Sequence, residues 1–116
     1  MSTPDETPQD KKNILLERIK TGQRNLSQVD LRGSDLSGAN LRGSDLNGAD
    51  LSGADLHGAN LSVANLSEAN FENAIVLNAR FGQNQGIDET LKAALIEKGA
   101  IFEDSPGDRS RVLTPV

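Results

Sequence analysis

The chain contains no cysteine, so a disulfide scaffold and thiol chemistry are excluded, and the composition fits a reducing, cytoplasmic setting. No apolar run approaches the ~20 residues that a membrane span needs, and no basic segment leads into an apolar one near the start. A soluble, unprocessed chain without membrane contact is therefore the expectation. A net charge of −5 argues against general binding to a phosphate backbone, so no direct nucleic-acid partner is expected. Histidine occurs once, at His57, and general base catalysis also requires a partner and a pocket. Threonine is missing from residues 24–83, which removes the flat ladders on which an ice-binding surface depends.

What remains is dominated by one period. Leu26, Leu31, Leu36, Leu41, Leu46, Leu51, Leu56, Leu61 and Leu66 fall on every fifth residue, and Phe71, Val76 and Phe81 continue the beat. Two residues before nearly every one stands a small residue, among them Ser34, Ala39, Ser44, Ala49 and Ala54. A helix would rotate positions five apart by about 140° and spread the leucines over every face. A straight strand alternates with period two and would throw successive leucines to opposite sides. A chain that bends once per repeat satisfies the pattern, with each leucine and its small companion facing one axis. Leu31 through Leu66 at this spacing, with Phe71, Val76 and Phe81, form the expected core.

Glycine locates the bend. Gly33, Gly38, Gly43, Gly48, Gly53 and Gly58 lie two residues after a central leucine, where a type II turn needs φ > 0. From Val63 onward the slot holds Val63, Glu68, Asn73, Asn78 and Gln83, of which only the asparagines adopt that geometry comfortably. The turn type is therefore expected to change late in the array.

The units Ala39-Asn40-Leu41, Ala49-Asp50-Leu51, Ala54-Asp55-Leu56 and Ala59-Asn60-Leu61 closely resemble those of pentapeptide-repeat proteins. That resemblance implies an all-β solenoid, a right-handed quadrilateral β-helix with four pentapeptides per coil. Residues 24–83 would then make about three coils, with short α-helical caps at both ends. Arg24 at the entry, and Ile75-Val76-Leu77 and Arg80 near the exit, depart from the repeat pattern. The stretch from Glu97 to Phe102 resembles the closing segment of cyanobacterial members.

The flanks divide in composition. Residues 1–9, with Pro4 and Pro8, read as a disordered arm. Residues 10–22 read as a capping helix, with Asp10 as N-cap, Ile14, Leu15 and Ile19 on one face and Gly22 as the stop. Residues 84–102 read as a C-terminal cap whose helix runs from about 88 to 98, capped by Asp88 and ended by Gly99. Its apolar positions are Leu91, Ala94, Leu95 and Ile96, and Ala100, Ile101 and Phe102 follow as an extended, buried segment. Residues 103–116 read as a mobile tail.

Catalytic, cofactor and metal sites are not expected. The spacing Gly33-Ser34-Asp35-Leu36-Ser37-Gly38 imitates a phosphate loop, but Ala39-Asn40 stands where Lys-Ser/Thr is required. Four-sided stacking would place Asp30 beneath Asp50 and Asp35 beneath Asp55, pairs with the oxygen chemistry for a divalent cation. The competing reading, and the one preferred, is that such side chains accept hydrogen bonds from nearby backbone. If Val76 faces inward, Ile75 and Leu77 face outward, and the preferred reading is that the cap covers them through Ile101 and Phe102, the alternative being a partner or dimer contact.

The resulting expectation is a non-enzymatic structural or interaction module for an unidentified protein partner, monomeric, with a dimer as the alternative state. The resemblance extends to topoisomerase-protecting members, which makes a DNA-mimic type topoisomerase (gyrase) modulator the second reading.

Overall fold

A computed structural model of the chain describes residue 14 and residues 16–103. The expectations for residues 1–9, for the helix start at Asp10 and for the tail beyond Glu103 fall outside the described residues.

The five-residue beat closes into coils of twenty. Parallel bridges join Asp30 to Asp50, Asp35 to Asp55, Asn40 to Asn60 and Asp45 to Asn65, so each residue lies beside the one twenty positions on. Four five-residue units thus complete one circuit, and each unit forms one side. Adjacent coils are tied by backbone hydrogen bonds of recurrent register: Leu31 N–H donates to Asp50 O at 2.9 Å, Gly33 N–H to Ser52 O at 3.0 Å, and Asp50 N–H to Val29 O at 2.9 Å. Backbone groups that cannot reach water are satisfied by the neighbouring coil.

Each corner is a β-turn in which the N–H three residues after the leucine returns to the leucine carbonyl, as Ser34 N–H does to Leu31 O at 3.1 Å. The residue two after the leucine has positive φ, 65° at Gly33 and 72° at Gly43, the sign pattern of a type II turn. The expected late change of turn does not occur. Val63, Glu68, Asn73, Asn78 and Gln83 keep φ values of 66°, 59°, 60°, 61° and 55°. The inter-coil register overrides local preference: Val63 N–H donates to Gly82 O at 2.8 Å, and Ala64 N–H closes the corner on Leu61 O at 3.2 Å. A left-handed L-residue costs roughly 1–2 kcal/mol, which the ladder and the burial of the adjacent core residues outweigh.

Inside the coils stand Leu31, Leu36, Leu41, Leu46, Leu51, Leu56, Leu61 and Leu66, all at most 1% exposed, with Val76 and Phe81 equally enclosed and Phe71 7% exposed. Ala49, Ala54, Ala59 and Ala64 fill the corners between them. The chain's three phenylalanines gather at the far end. Phe71 meets Phe81 edge-on at 6.0 Å, and Phe81 stacks on Phe102 at 5.0 Å.

Two helical segments flank this array. The first, α1, covers residues 16–20 with Ile14 also helical; Ile19 is buried, and Gly22, at φ 90°, follows its last turn. The second, α2, is Glu89–Glu97, with the Asp88 carboxylate accepting from Leu91 N–H at 2.8 Å. Leu95 is buried and Leu91 half-buried, one turn apart on one face, whereas Ile96 is exposed because one residue rotates it about 100° away. Strand β1 (Arg80–Phe81) then pairs in parallel with β2 (Ile101–Phe102), Arg80 opposite Ile101. The segment after α2 is extended, as its composition indicates, but not uniformly buried. Ala100 is buried, Phe102 half-buried and Ile101 exposed, since alternate strand residues point to opposite sides.

Candidate interaction surface

The outward side chains begin with the Asp or Asn immediately before each leucine. Its carboxylate or amide oxygen accepts the N–H two residues on, as Asp30 does from Arg32, Asp35 from Ser37 and Asp45 from Asn47, each at 3.1 Å. Asp55 accepts likewise from His57 and Asn60 from Ser62, both at 3.0 Å. These are the Asx turns that the residue type favours, and they fix the side-chain torsions of the outward Asp and Asn residues. A serine in the following slot adds a second bond to the same oxygen: Ser37 Oγ donates to Asp35 at 2.7 Å and Ser52 Oγ to Asp50 at 2.8 Å.

The pairs considered for a cation do lie in register, Asp30 beside Asp50 and Asp35 beside Asp55. An arginine already occupies the first. Arg32 Nε and Nη2 each donate to Asp30 at 2.8 Å, and Nε lies 3.7 Å from Asp50, so one guanidinium serves both carboxylates. Its ordinary basicity is raised further by the hydrogen bond and charge of Asp30. Asp35 is held below the usual carboxylate range by the Ser37 hydroxyl and backbone N–H. Among the described residues no three His, Asp or Glu side chains converge as a metal site would require. His57 stands exposed beside Asp55 on an open corner.

Where the polar slot fails, the surface changes. Ile75 and Leu77 are 52% and 50% exposed, and Ile101 is 41% exposed. Gly99 lies against Leu77, whose Cδ1 would be 2.7 Å from a Cβ placed there, and Asn78 N–H donates to Gly99 O at 2.8 Å. The expected cover by Ile101 and Phe102 is therefore not seen: Ile101 is itself exposed, Phe102 turns into the aromatic stack with Phe81, and the cap meets Leu77 through Gly99 alone among the described contacts.

At Arg80 the lost acceptor is replaced by a residue that sequence reasoning passed over. Asn84 occupies an inward small-residue slot; its Oδ1 accepts from Gly82 N–H at 2.7 Å, and its Nδ2 donates to Leu61 O at 2.6 Å and Ala64 O at 2.9 Å. The visible signal was a polar amide at a position otherwise held by Ala, Ser or Val. At the opposite end Arg18 Nη2 donates to Asn25 O and Arg24 Nη1 to Asn40 O, both at 3.3 Å, so guanidinium donors meet carbonyls at the edge of the first coil.

Comparison with known proteins follows the same repeat. The family model described as pentapeptide repeats matches residues 25–62 in 8 copies. No protein of curated function matches the chain significantly. Among solved structures, a trypsin-treated form of QnrB1, a plasmid-mediated fluoroquinolone resistance protein, aligns over 78% of this chain with a TM-score of 0.52 and 19% identity. This chain spans 42% of that protein's length, and the likeness is one of fold. A pentapeptide repeat protein from the thylakoid lumen of Arabidopsis thaliana aligns over 81% of this chain and 77% of its own, at 27% identity and a TM-score of 0.51. One from Nostoc Pcc 7120 is 32% identical over 78% of this chain and 94% of its own, with a TM-score of 0.28. With its repeats matched, its coils closed every twenty residues and its outward columns held by Asx turns, the chain belongs to the pentapeptide-repeat family.

Proposed function

We propose that this chain is a non-enzymatic interaction module that presents a rigid, ordered array of outward side chains to a protein partner in the cytoplasm. The observation that carries this reading is the coupling of the outward Asp and Asn side chains to the backbone. Asx turns fix the Asp and Asn side chains, and the inter-coil ladder fixes the turns, so the surface is pre-organised and loses little entropy on binding. The half-exposed pair Ile75 and Leu77 gives that surface an apolar element, and such elements mark interaction sites when they cluster. In this reading residues 24–83 form about three right-handed quadrilateral coils. Residues 10–22 and 84–102 close the two ends as caps, and the module acts as a monomer. Buried Ile19 and Leu95, each joined to the apolar core at one end, support the capping role.

An affinity capture from native lysate tests it. One stoichiometric protein partner is the expected result, and the failure of any protein to be retained at physiological salt would contradict it.

A second reading, a DNA-mimic type modulator of gyrase, draws on the fold likeness to QnrB1 and on the carboxylate columns Asp30/Asp50 and Asp35/Asp55. Concentration-dependent inhibition of gyrase supercoiling would favour it over the first. Arg32 counts against it, because one guanidinium neutralises part of the column that would have to imitate a phosphate backbone.

A further inference from the structure

The four sides of the coil differ in charge. On the first side, 25–29, 45–49 and 65–69, stand Asp45 and Glu68; on the second, Asp30, Asp50 and Glu72 oppose Arg32; on the third stand Asp35 and Asp55. Each has an acidic excess of two charges. The fourth side, 40–44, 60–64 and 80–84, carries Arg42 and Arg80 and no acid within the repeats, and its acid comes from Glu103, which follows β2 where that strand stacks on Arg80–Phe81. In a chain of net charge −5 this segregation follows the fold rather than the sequence, because the fourth side is assembled from segments twenty residues apart.

We propose that this fourth side is the docking face of the module and that it takes an acidic peptide segment of the partner. The inference rests on the interaction reading above and names the partner's chemistry. Arg42 and Arg80 are both exposed, and by strand spacing their Cα atoms lie about 12 Å apart, two coils along the axis and two residues along the strand. Carboxylates four residues apart on an extended peptide span about 13 Å, so one such segment reaches both guanidinium groups. Asn60 and Val63 stand between them on the intervening coil, an amide for a peptide carbonyl and, 43% exposed, an apolar contact.

Two further observations point to the same face. Val63 is the one β-branched residue among the described residues with positive φ, and it keeps that geometry while exposed, where Gly or Asn would sit without strain. The chain also brings an acid of its own to this face. Glu103, just beyond β2, places a carboxylate oxygen 4.0 Å from Arg80 Nε, with both side chains about half exposed. This long, solvated contact is weak and replaceable, and it shows the carboxylate chemistry that a stronger acidic segment would supply. A nucleic-acid occupant is disfavoured by the acidic excess of the three other sides.

The test is fluorescence anisotropy with a labelled octaglutamate peptide at about 20 mM salt, where screening is weak. Wild-type protein is expected to bind it. The double variant Arg42→Gln/Arg80→Gln should weaken binding about tenfold, and Glu103→Gln should strengthen it about twofold by removing the internal competitor. The control Arg32→Gln/Lys98→Gln, which removes the same charge elsewhere, should change affinity by less than about twofold. Equal effects of the two double variants would overturn the assignment, as would a wild type that ignores the peptide or binds a single-stranded oligodeoxynucleotide of equal charge more tightly. If Arg42→Gln/Arg80→Gln does not fold by circular dichroism, Glu103→Gln decides alone, and no gain there overturns the proposal. A wild type that ignores octaglutamate yet captures a stoichiometric partner from lysate loses this face and keeps the interaction reading; one that does neither loses both.

Discussion

At the scale of single residues, position in the repeat dominates intrinsic preference. Val63 is held left-handed by its ladder bond to Gly82, so Val63→Asn should relieve strain and raise stability by about 0.5–1 kcal/mol, read as a higher urea midpoint with an unchanged slope. Ser34 and Ser44 face the interior with hydroxyls that make no hydrogen bond among the described residues. Alanine fills the stacked positions Ala54 and Ala64, so Ser34→Ala and Ser44→Ala should each stabilise by about 1 kcal/mol in thermal unfolding. Asp35 offers a pH test. Its folded pKa lies below the unfolded value, so its contribution to stability is present above the unfolded pKa of about 4 and is lost as pH falls through the lower folded value. Ser37→Ala removes the largest cause, and carboxyl NMR titration should then find the Asp35 pKa moved up toward the ordinary range.

At the scale of elements, the array is legible in sequence to the extent that it repeats. A beat of five is incompatible with both helix and flat strand, which leaves a bend per unit, and the glycine column marks that bend. The register of twenty is not visible in any one unit, since it depends on which coils hydrogen-bond. For the same reason the turn at Val63 keeps its type against the single-residue preference, because the ladder bond to Gly82 O holds the positive φ. Ile101 is apolar yet exposed, because the one-residue step along the strand from buried Ala100 turns it outward. Asn84 escaped notice because its role, bonding backbone on two coils at once, has no local signature. Asn84→Ala should therefore cost about 2–3 kcal/mol, more than a surface asparagine, and should expose the Gly82 amide to hydrogen exchange.

At the scale of the whole molecule, the coil turns a linear sequence into four faces of different character. The core is nearly the same on every side, leucine above leucine, so the differences between faces reside in the slots flanking the leucine. Acid columns, an arginine bridging two carboxylates, an apolar break at Ile75 and Leu77, and a basic side around Arg42 and Arg80 all occupy the same backbone geometry. On the interaction reading, function is a matter of which face a partner reads. The most direct measurement is quantitative affinity capture from native lysate with wild type, Arg42→Gln/Arg80→Gln and Ile75→Ser/Leu77→Ser, each confirmed folded. The account predicts a single stoichiometric protein retained by the wild type and lost in at least one outward variant. Capture that is indifferent to every outward substitution, or no stoichiometric partner at all, would contradict it.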